Sequence, residues 1–312
     1  MTVQQRSVLA HERRIGALGA ARSLAWPVWR FARRQPVGFI SLAIILALIV
    51  IAVLAPLIAP YDATEVAQGA RLASPSLSHP FGTDNLSRDI FSRVVLGARV
   101  SIEVGFIAVV IGVGGGAAVG VLSGYTGGKL DMGLQRLMDA LMTFPTLVLA
   151  MTLTAIIKPD WFAMGPWLPP GMVTAMLAIG IVIMPSANRV VRGATMSIKE
   201  NQYVEAARAV GASNTRIMVF HILPNLVAPI LVMVSIVMGL AIIVEASLSF
   251  LGLGIQPPSI SWGRMVSESR IYMELAPWMV VAPAVAISVI VLALNLLGDA
   301  LRDYFDPSLR GR

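Results

Sequence analysis

Residues able to do chemistry are few in this sequence and stand apart. Its three histidines, His11, His79 and His221, are scattered, and no H-E-x-x-H pair or similar spacing suggests a metal site. The chain has no cysteine, so neither a disulfide framework nor a thiolate metal site is available. No G-x-x-x-x-G-K-S/T loop cradles phosphates. The glycine-dense run from Gly112 to Gly116 is no substitute, because it sits in an apolar segment and lacks the lysine. No catalytic serine arrangement stands out, and Asp139 has no second aspartate with which to form an intramembrane protease pair. Catalytic residues: none; metal ligands: none. Glu245 is the one acid well inside an apolar run. A charge is costly in lipid, so Glu245 must face a bundle, a cavity or an interface. It reads either as a structural hydrogen-bonding group or as a proton or substrate contact, and no second embedded charge completes a proton path.

The elements around these residues are membrane segments. Apolar residues make up 56% of the 312 positions and charged residues 13%, against about 25% charged in soluble domains. Mean hydropathy is +0.77. A spanning helix needs roughly 20 apolar residues. Six runs qualify: Val37 to Ala59, Val104 to Gly124, Ala140 to Ile157, about Gly171 to Ala187, about Leu226 to Leu251, and about Leu275 to Gly298. The fold class is an all-α integral membrane protein with six transmembrane helices. The first run follows a long basic arm and is too long for a signal-peptide core, so it reads as an anchor.

Basic residues set the expected orientation. Residues 1–36 carry seven arginines and one acid, Glu12, which favours a cytoplasmic tail. Alternation through six spans then puts residues 299–312 in the cytoplasm as well. The external segments, 60–99, 158–170 and 252–274, hold seven basic residues, and the inside holds the other 17. The net charge of +7 is thus a topology signal rather than a nucleic-acid footprint. Within the external loop 60–99, helical spacing of Leu86, Ile90, Val94 and Val95 predicts an amphipathic helix from Asp84 to Ala98. A five-helix core occupies 100–298. Gly112, Gly116 and Gly120 form small-x-x-x-small pairs suited to close packing or gating. Pro145, Pro185 and Pro229 are candidate kinks.

The most informative segment is the cytoplasmic loop 188–225. Lys199 to Val210 can form a short helix with Tyr203, Ala206, Ala207 and Val210 on one small apolar face, and Gly211 suits its C-cap. Alanines permit close approach to a groove, and Tyr203 offers a larger anchor. Glu205-Ala206-Ala207, Gly211, Leu223 and Pro224 resemble the EAA loop of permease subunits in binding-protein-dependent ABC importers. His221 stands where that pattern has isoleucine. HPFGTDNLSRDIFSRVVLGARVSI (residues 79–102), MDALMTFPTLVLA (138–150), EASLSFLGLGIQPPSISWG (245–263) and NLLGDALRDYFDPSLR (295–310) are similar to the dipeptide, oligopeptide and nickel group, with the single first span and long external loop of its "C"-type permease.

The resemblance implies a type I ABC importer permease fold in a prokaryotic plasma (inner) membrane. It implies a related second permease subunit, two ATP-binding subunits and an external solute-binding protein, with lipid around the chain. ATP and magnesium would be held by the partners, and this chain would bind no cofactor. The substrate would be a dipeptide, a longer peptide, a glutathione-like compound or a nickel chelate. The rival readings are a secondary transporter, which needs a functional embedded charge, and a non-transporting scaffold. If Gly211 caps a coupling helix, replacing it with valine will lower uptake per ATP hydrolysed. Normal ATP-driven uptake by the assembled variant would contradict this.

Overall fold

The computed structural model describes residues 31–66, 69–157 and 171–305. Most of the basic arm, the expected external loop 158–170 and the end of the closing motif lie outside them. The described residues are helical, with no strand beyond one isolated bridge between Thr83 and Asp89. In chain order the helices are α1 (Pro36–Val53), α2 (Ala55–Ile58), α3 (Ile90–Thr126), α4 (Gly128–Met142), α5 (Thr146–Ile156), α6 (Met172–Ile198), α7 (Gln202–Ala209), α8 (Asn214–Ile217), α9 (Leu223–Phe250), α10 (Trp262–Ser269) and α11 (Trp278–Phe305). Five stretches are each long and apolar enough to cross a membrane, namely α1, α3, α6, α8 continuing into α9, and α11. The bent pair α4–α5 makes a sixth if counted as one span.

Several boundaries differ from the sequence reading. The first run is broken at Leu54, because Pro56 has no N–H to give the Ala52 carbonyl and its ring crowds that turn. The separate external helix from Asp84 to Ala98 is not formed. Ser87 has φ of 61°, which no right-handed helix accommodates. Asp84 is spent on a turn, its Oδ1 accepting from the N–H groups of Leu86 at 2.8 Å and Arg88 at 2.9 Å. Helix α3 instead starts at Ile90, where Asp89 accepts from the Ser92 N–H at 2.7 Å. It then runs unbroken for 37 residues, roughly 55 Å at 1.5 Å per residue.

The third run is not one straight span. Pro145 disfavours helix at Phe144 and removes a donor, and α4 and α5 meet at 98°. Helix α6 continues through Asn188–Ile198, which the sequence reading placed in the cytoplasmic loop, because nothing there breaks it. Helix α11 starts only after Pro277 and runs to Phe305, so the expected tail from 299 is helical at its start.

The centre of the bundle is the contact between α3 and α6. Gly112, Gly116, Gly120 and Gly124 recur every four residues on one face of α3. A Cβ on Gly116 would lie 2.5 Å from the Met184 carbonyl oxygen and 2.6 Å from the Ala187 Cβ. Gly112 meets Gly180, Gly120 meets Asn188 and Gly124 meets Arg192 just as closely. The glycines are therefore a groove for the α6 backbone, and Val109, Val113, Ile179 and Ile183 fill the core beside it. A second cluster joins α1, α11 and α10 through Ile45, Ile290, Met279 and Trp262.

Gly116→Val should destabilise the purified protein by about 1–3 kcal/mol through overpacking. Gly114→Ala should be neutral or slightly stabilising, since nothing lies within 4 Å of a Cβ there. Unfolding in detergent checks both, and equal effects would contradict the groove.

Candidate coupling surface and translocation face

Helix α7 follows α6 after a three-residue turn. Val204 and Ala207 turn inward and pack with Ile217, Ile222 and Leu226. Tyr203, Glu205, Ala206 and Val210 turn outward, Tyr203 being 43% and Val210 85% exposed. The face expected from sequence is thus divided: Tyr203, Ala206 and Val210 share the outer surface, while Ala207 anchors the helix to its own bundle. The helix ends as the sequence predicted. Gly211 has φ of 82°. Its N–H donates to the Arg208 carbonyl at 3.0 Å, and the Ala212 N–H reaches the Ala207 carbonyl at 3.0 Å. These two bonds make a Schellman motif, whose left-handed position glycine occupies without strain.

Leu223 and Pro224 are not part of α7: they open α9, both are exposed, and Leu223 lines a groove along α3 and α9. Pro224 offers no N–H to the turn before it and would crowd the Phe220 carbonyl. The chain widens into a π-helical turn over Met218–Ile222, with the Leu223 N–H bonding the Met218 carbonyl. His221 lies within that turn, its carbonyl accepting from Asn225 at 2.7 Å. Below α7, Tyr125 Oη donates to Asn214 at 3.0 Å, and Lys199 Nζ donates to the carbonyl of Gly124 at 3.2 Å. These bonds tie the ends of α3, α6 and α8 together.

Among the membrane candidates, Gly112, Gly116 and Gly120 face α6 and are packing glycines. Pro145 marks the α4–α5 bend. Glu245 is fully buried toward the other end of α9, accepting from Ser249 Oγ at 2.7 Å. Ser249 also accepts from the Ile255 N–H at 3.2 Å and from Ser261 Oγ at 3.3 Å. The segment returning from α9 to α10 is thereby folded over Glu245. Gly254 passes against Ser249 and Gly263 against the Ala246 backbone, with no room for a Cβ at either. Trp262, fully buried, donates from Nε1 to the Val94 carbonyl at 2.9 Å.

Sequence reasoning missed the polar cap at this end. His79 Nδ1 lies 2.9 Å from Asp89 Oδ1, with the Tyr61 ring stacked at 5.1 Å. Arg88 Nε donates to Asp84 at 2.6 Å, and the buried Arg93 reaches Glu268 at 3.0 Å and the Ala63 carbonyl at 3.1 Å. The residues were visible in the sequence, but their pairing joins α10 to the loop before α3, across most of the chain. Apolar surface is also open on several of the described helices, including two faces. A groove of about 700 Å³ runs along α3 and α9, lined by Phe106, Val110, Val113, Leu223 and Val234 among others. Leu137, Phe144 and Val148 project from α4–α5, each at least half exposed.

A family model for the inner membrane component of binding-protein-dependent transport systems matches residues 116–311. The chain belongs to that permease family. A second model, the N-terminal TM domain of oligopeptide transport permease C, matches residues 23–75. The permease is 41% identical over 286 residues to a dipeptide transport system permease protein of Alkalihalophilus pseudofirmus, covering 90% of each chain. It is 43% identical over 284 residues to a glutathione transport system permease protein of Escherichia coli O6:K15:H31, covering 91% of this chain and 90% of that one. Its fold is similar to a chain of the MetNI methionine ABC transporter in an inward-facing conformation, with a TM-score of 0.54 at 18% identity over 69% of this chain and 97% of that one. It is therefore a permease subunit of an ABC importer, a multi-pass inner membrane protein with the type I importer fold.

The bond from Ser249 to Glu245 sets a test. Glu245→Gln keeps the acceptor and the shape, so uptake by the assembled importer should persist with an unchanged pH profile. Glu245→Ala leaves the buried serines short of a partner and should destabilise the permease by about 1–3 kcal/mol. Loss of uptake in a stable Glu245→Gln variant would contradict the structural role.

Proposed function

We propose that this permease is half of the wall of an import channel for a short peptide or peptide-like solute, moved by ATPases that dock on α7. The observation that carries this reading is the outer surface of α7: small, exposed, rigidly capped at Gly211, and tied at its base to α3 and α6. A related second permease would cover the open apolar faces of α3–α9 and α4–α5, and the solute would cross between the two. Two ATP-binding subunits, holding ATP and magnesium, would drive the motion, and this chain would be non-catalytic. An external solute-binding protein would deliver cargo to the end bearing the His79–Asp89 cap. The basic arm and the 17 to seven division of basic residues support a cytoplasmic α7 with both termini on its side. Relatives named for dipeptide and for glutathione transport favour solutes with a peptide backbone, and a nickel chelate is the third class to screen.

The permease should be reconstituted in proteoliposomes with its partner permease, both ATPases and the binding protein. ATP-dependent uptake of labelled dipeptide, longer peptide or glutathione is expected, abolished when the ATPases or the binding protein are omitted. Uptake driven by an ion gradient without the ATPases would contradict the reading.

A further inference from the structure

Helix α4 is held to the bundle in an unusual way. Met138 is its only buried residue, while Leu130, Met132 and Leu137 are about half exposed. Apolar packing therefore does little to fix it. Its hydrogen bonds to the rest of the chain come from Asp131, Gln135 and Asp139, spaced four apart and so on one face. They meet Arg192, Asn188 and Arg189 of α6 as a polar zipper whose first two rungs run antiparallel. At the first rung Arg192 Nε and a terminal guanidinium nitrogen donate to the two Asp131 oxygens at 2.7 and 2.6 Å. This bidentate geometry fixes orientation as well as distance. Ser123 of α3 also donates to Asp131. At the second rung Asn188 Nδ2 donates to Gln135 Oε1 at 3.0 Å, and Gln135 Nε2 donates to Ser123 Oγ at 2.8 Å. At the third, outermost rung, Arg189 donates to Asp139 at 3.1 Å.

The zipper lies between two parts of the bundle. Helix α6 passes from Arg192 to Ile198 and, after one tight turn, becomes α7. Helix α4 is the half-span that bends by 98° at Pro145 into α5 and presents an uncovered apolar face. The glycine groove locks α6 to α3 along its length, whereas α4 itself buries only Met138.

We propose that Asp131 and Arg192 are a positioning pair that couples the motor stroke to the pathway, making α4 travel with α6 and α7. Without the pair, α7 would still dock and move, and α4 would lag. The inference rests on the import-channel reading above.

The test uses the complete reconstituted importer and measures solute imported per ATP hydrolysed. Asp131→Asn and Arg192→Gln should each lower that ratio about tenfold or more in assembled complexes, and the exchange Asp131→Arg with Arg192→Asp should restore most of it. The absence of cysteine permits a second variant, Asp131→Cys with Arg192→Cys, joined by a short bifunctional thiol reagent. Coupling should be poor in the reduced form and recover on bridging. Ratios equal to the parent in both single variants would overturn the proposal, as would bridging with no effect. Failure of every variant, the exchange included, to assemble would assign the pair to folding and overturn it too. If the parent complex itself shows no ATP-driven uptake, the import-channel reading fails instead.

Discussion

Helices α3 and α6 approach closely enough for backbone to lie on backbone, and the remaining architecture is arranged around that contact. In lipid, burial of apolar surface gives helices little reason to associate, so packing and interhelical hydrogen bonds must hold them. The four glycines from Gly112 to Gly124, met by Gly180, Ala187 and Thr195 on α6, remove the side chains that would keep the helices apart. Since α3 is continuous from the His79–Asp89 cap to the Tyr125–Asn214 bond, this one contact joins both ends of the molecule. Packed interiors of this kind do not deform smoothly, so α3 and α6 form a rigid beam.

Each end of the beam has its own joint. At one end, α7 rests on it through Val204 and Ala207 and turns Tyr203, Ala206 and Val210 outward. At the other, Trp262 and the segment above Glu245 fasten α9 and α10 to it, and Arg93 with Glu268 seals the loop before α3. The apolar faces left uncovered include the groove between α3 and α9 and the outer face of α4–α5. A permease with its anchor, cap and docking helix complete but its inner face open is suited to work as one of a pair.

Five of the six expected spans were legible because apolar runs of bilayer length need no tertiary information, and the third is the bent pair α4–α5. The α7 cap was legible for a similar reason: Gly211 directly follows a short helical pattern, and its positive φ follows from local geometry. Less could be read where the chain is arranged by distant partners. The bend at Pro145 was expected as a kink, but its size depends on what α4 packs against. The external helix was expected to begin at Asp84, yet Asp89 caps α3 because Asp84 is held by Arg88 and two N–H groups. Asn188, expected as the start of the cytoplasmic loop, has its partner in Gln135, 53 positions away. Glu245 was visible as an anomaly, and its partner Ser249 lies one turn on in the same helix, but the packing of Ile255 and Ser261 onto Ser249 depends on the returning segment.

The central claim is that α7, α6, α3 and α4 move as one body against the second permease. Cysteine-free sequence makes site-specific spin labelling direct. Labels at Val210→Cys at the end of α7 and Met132→Cys on α4, in the complete importer, report the distance between the docking surface and the pathway wall by electron–electron resonance. The account predicts that this distance changes by less than about 2 Å between the ATP-free and nucleotide-trapped states, while the distance from Met132 to the partner permease shifts clearly. A comparable shift between Val210 and Met132 would contradict the account.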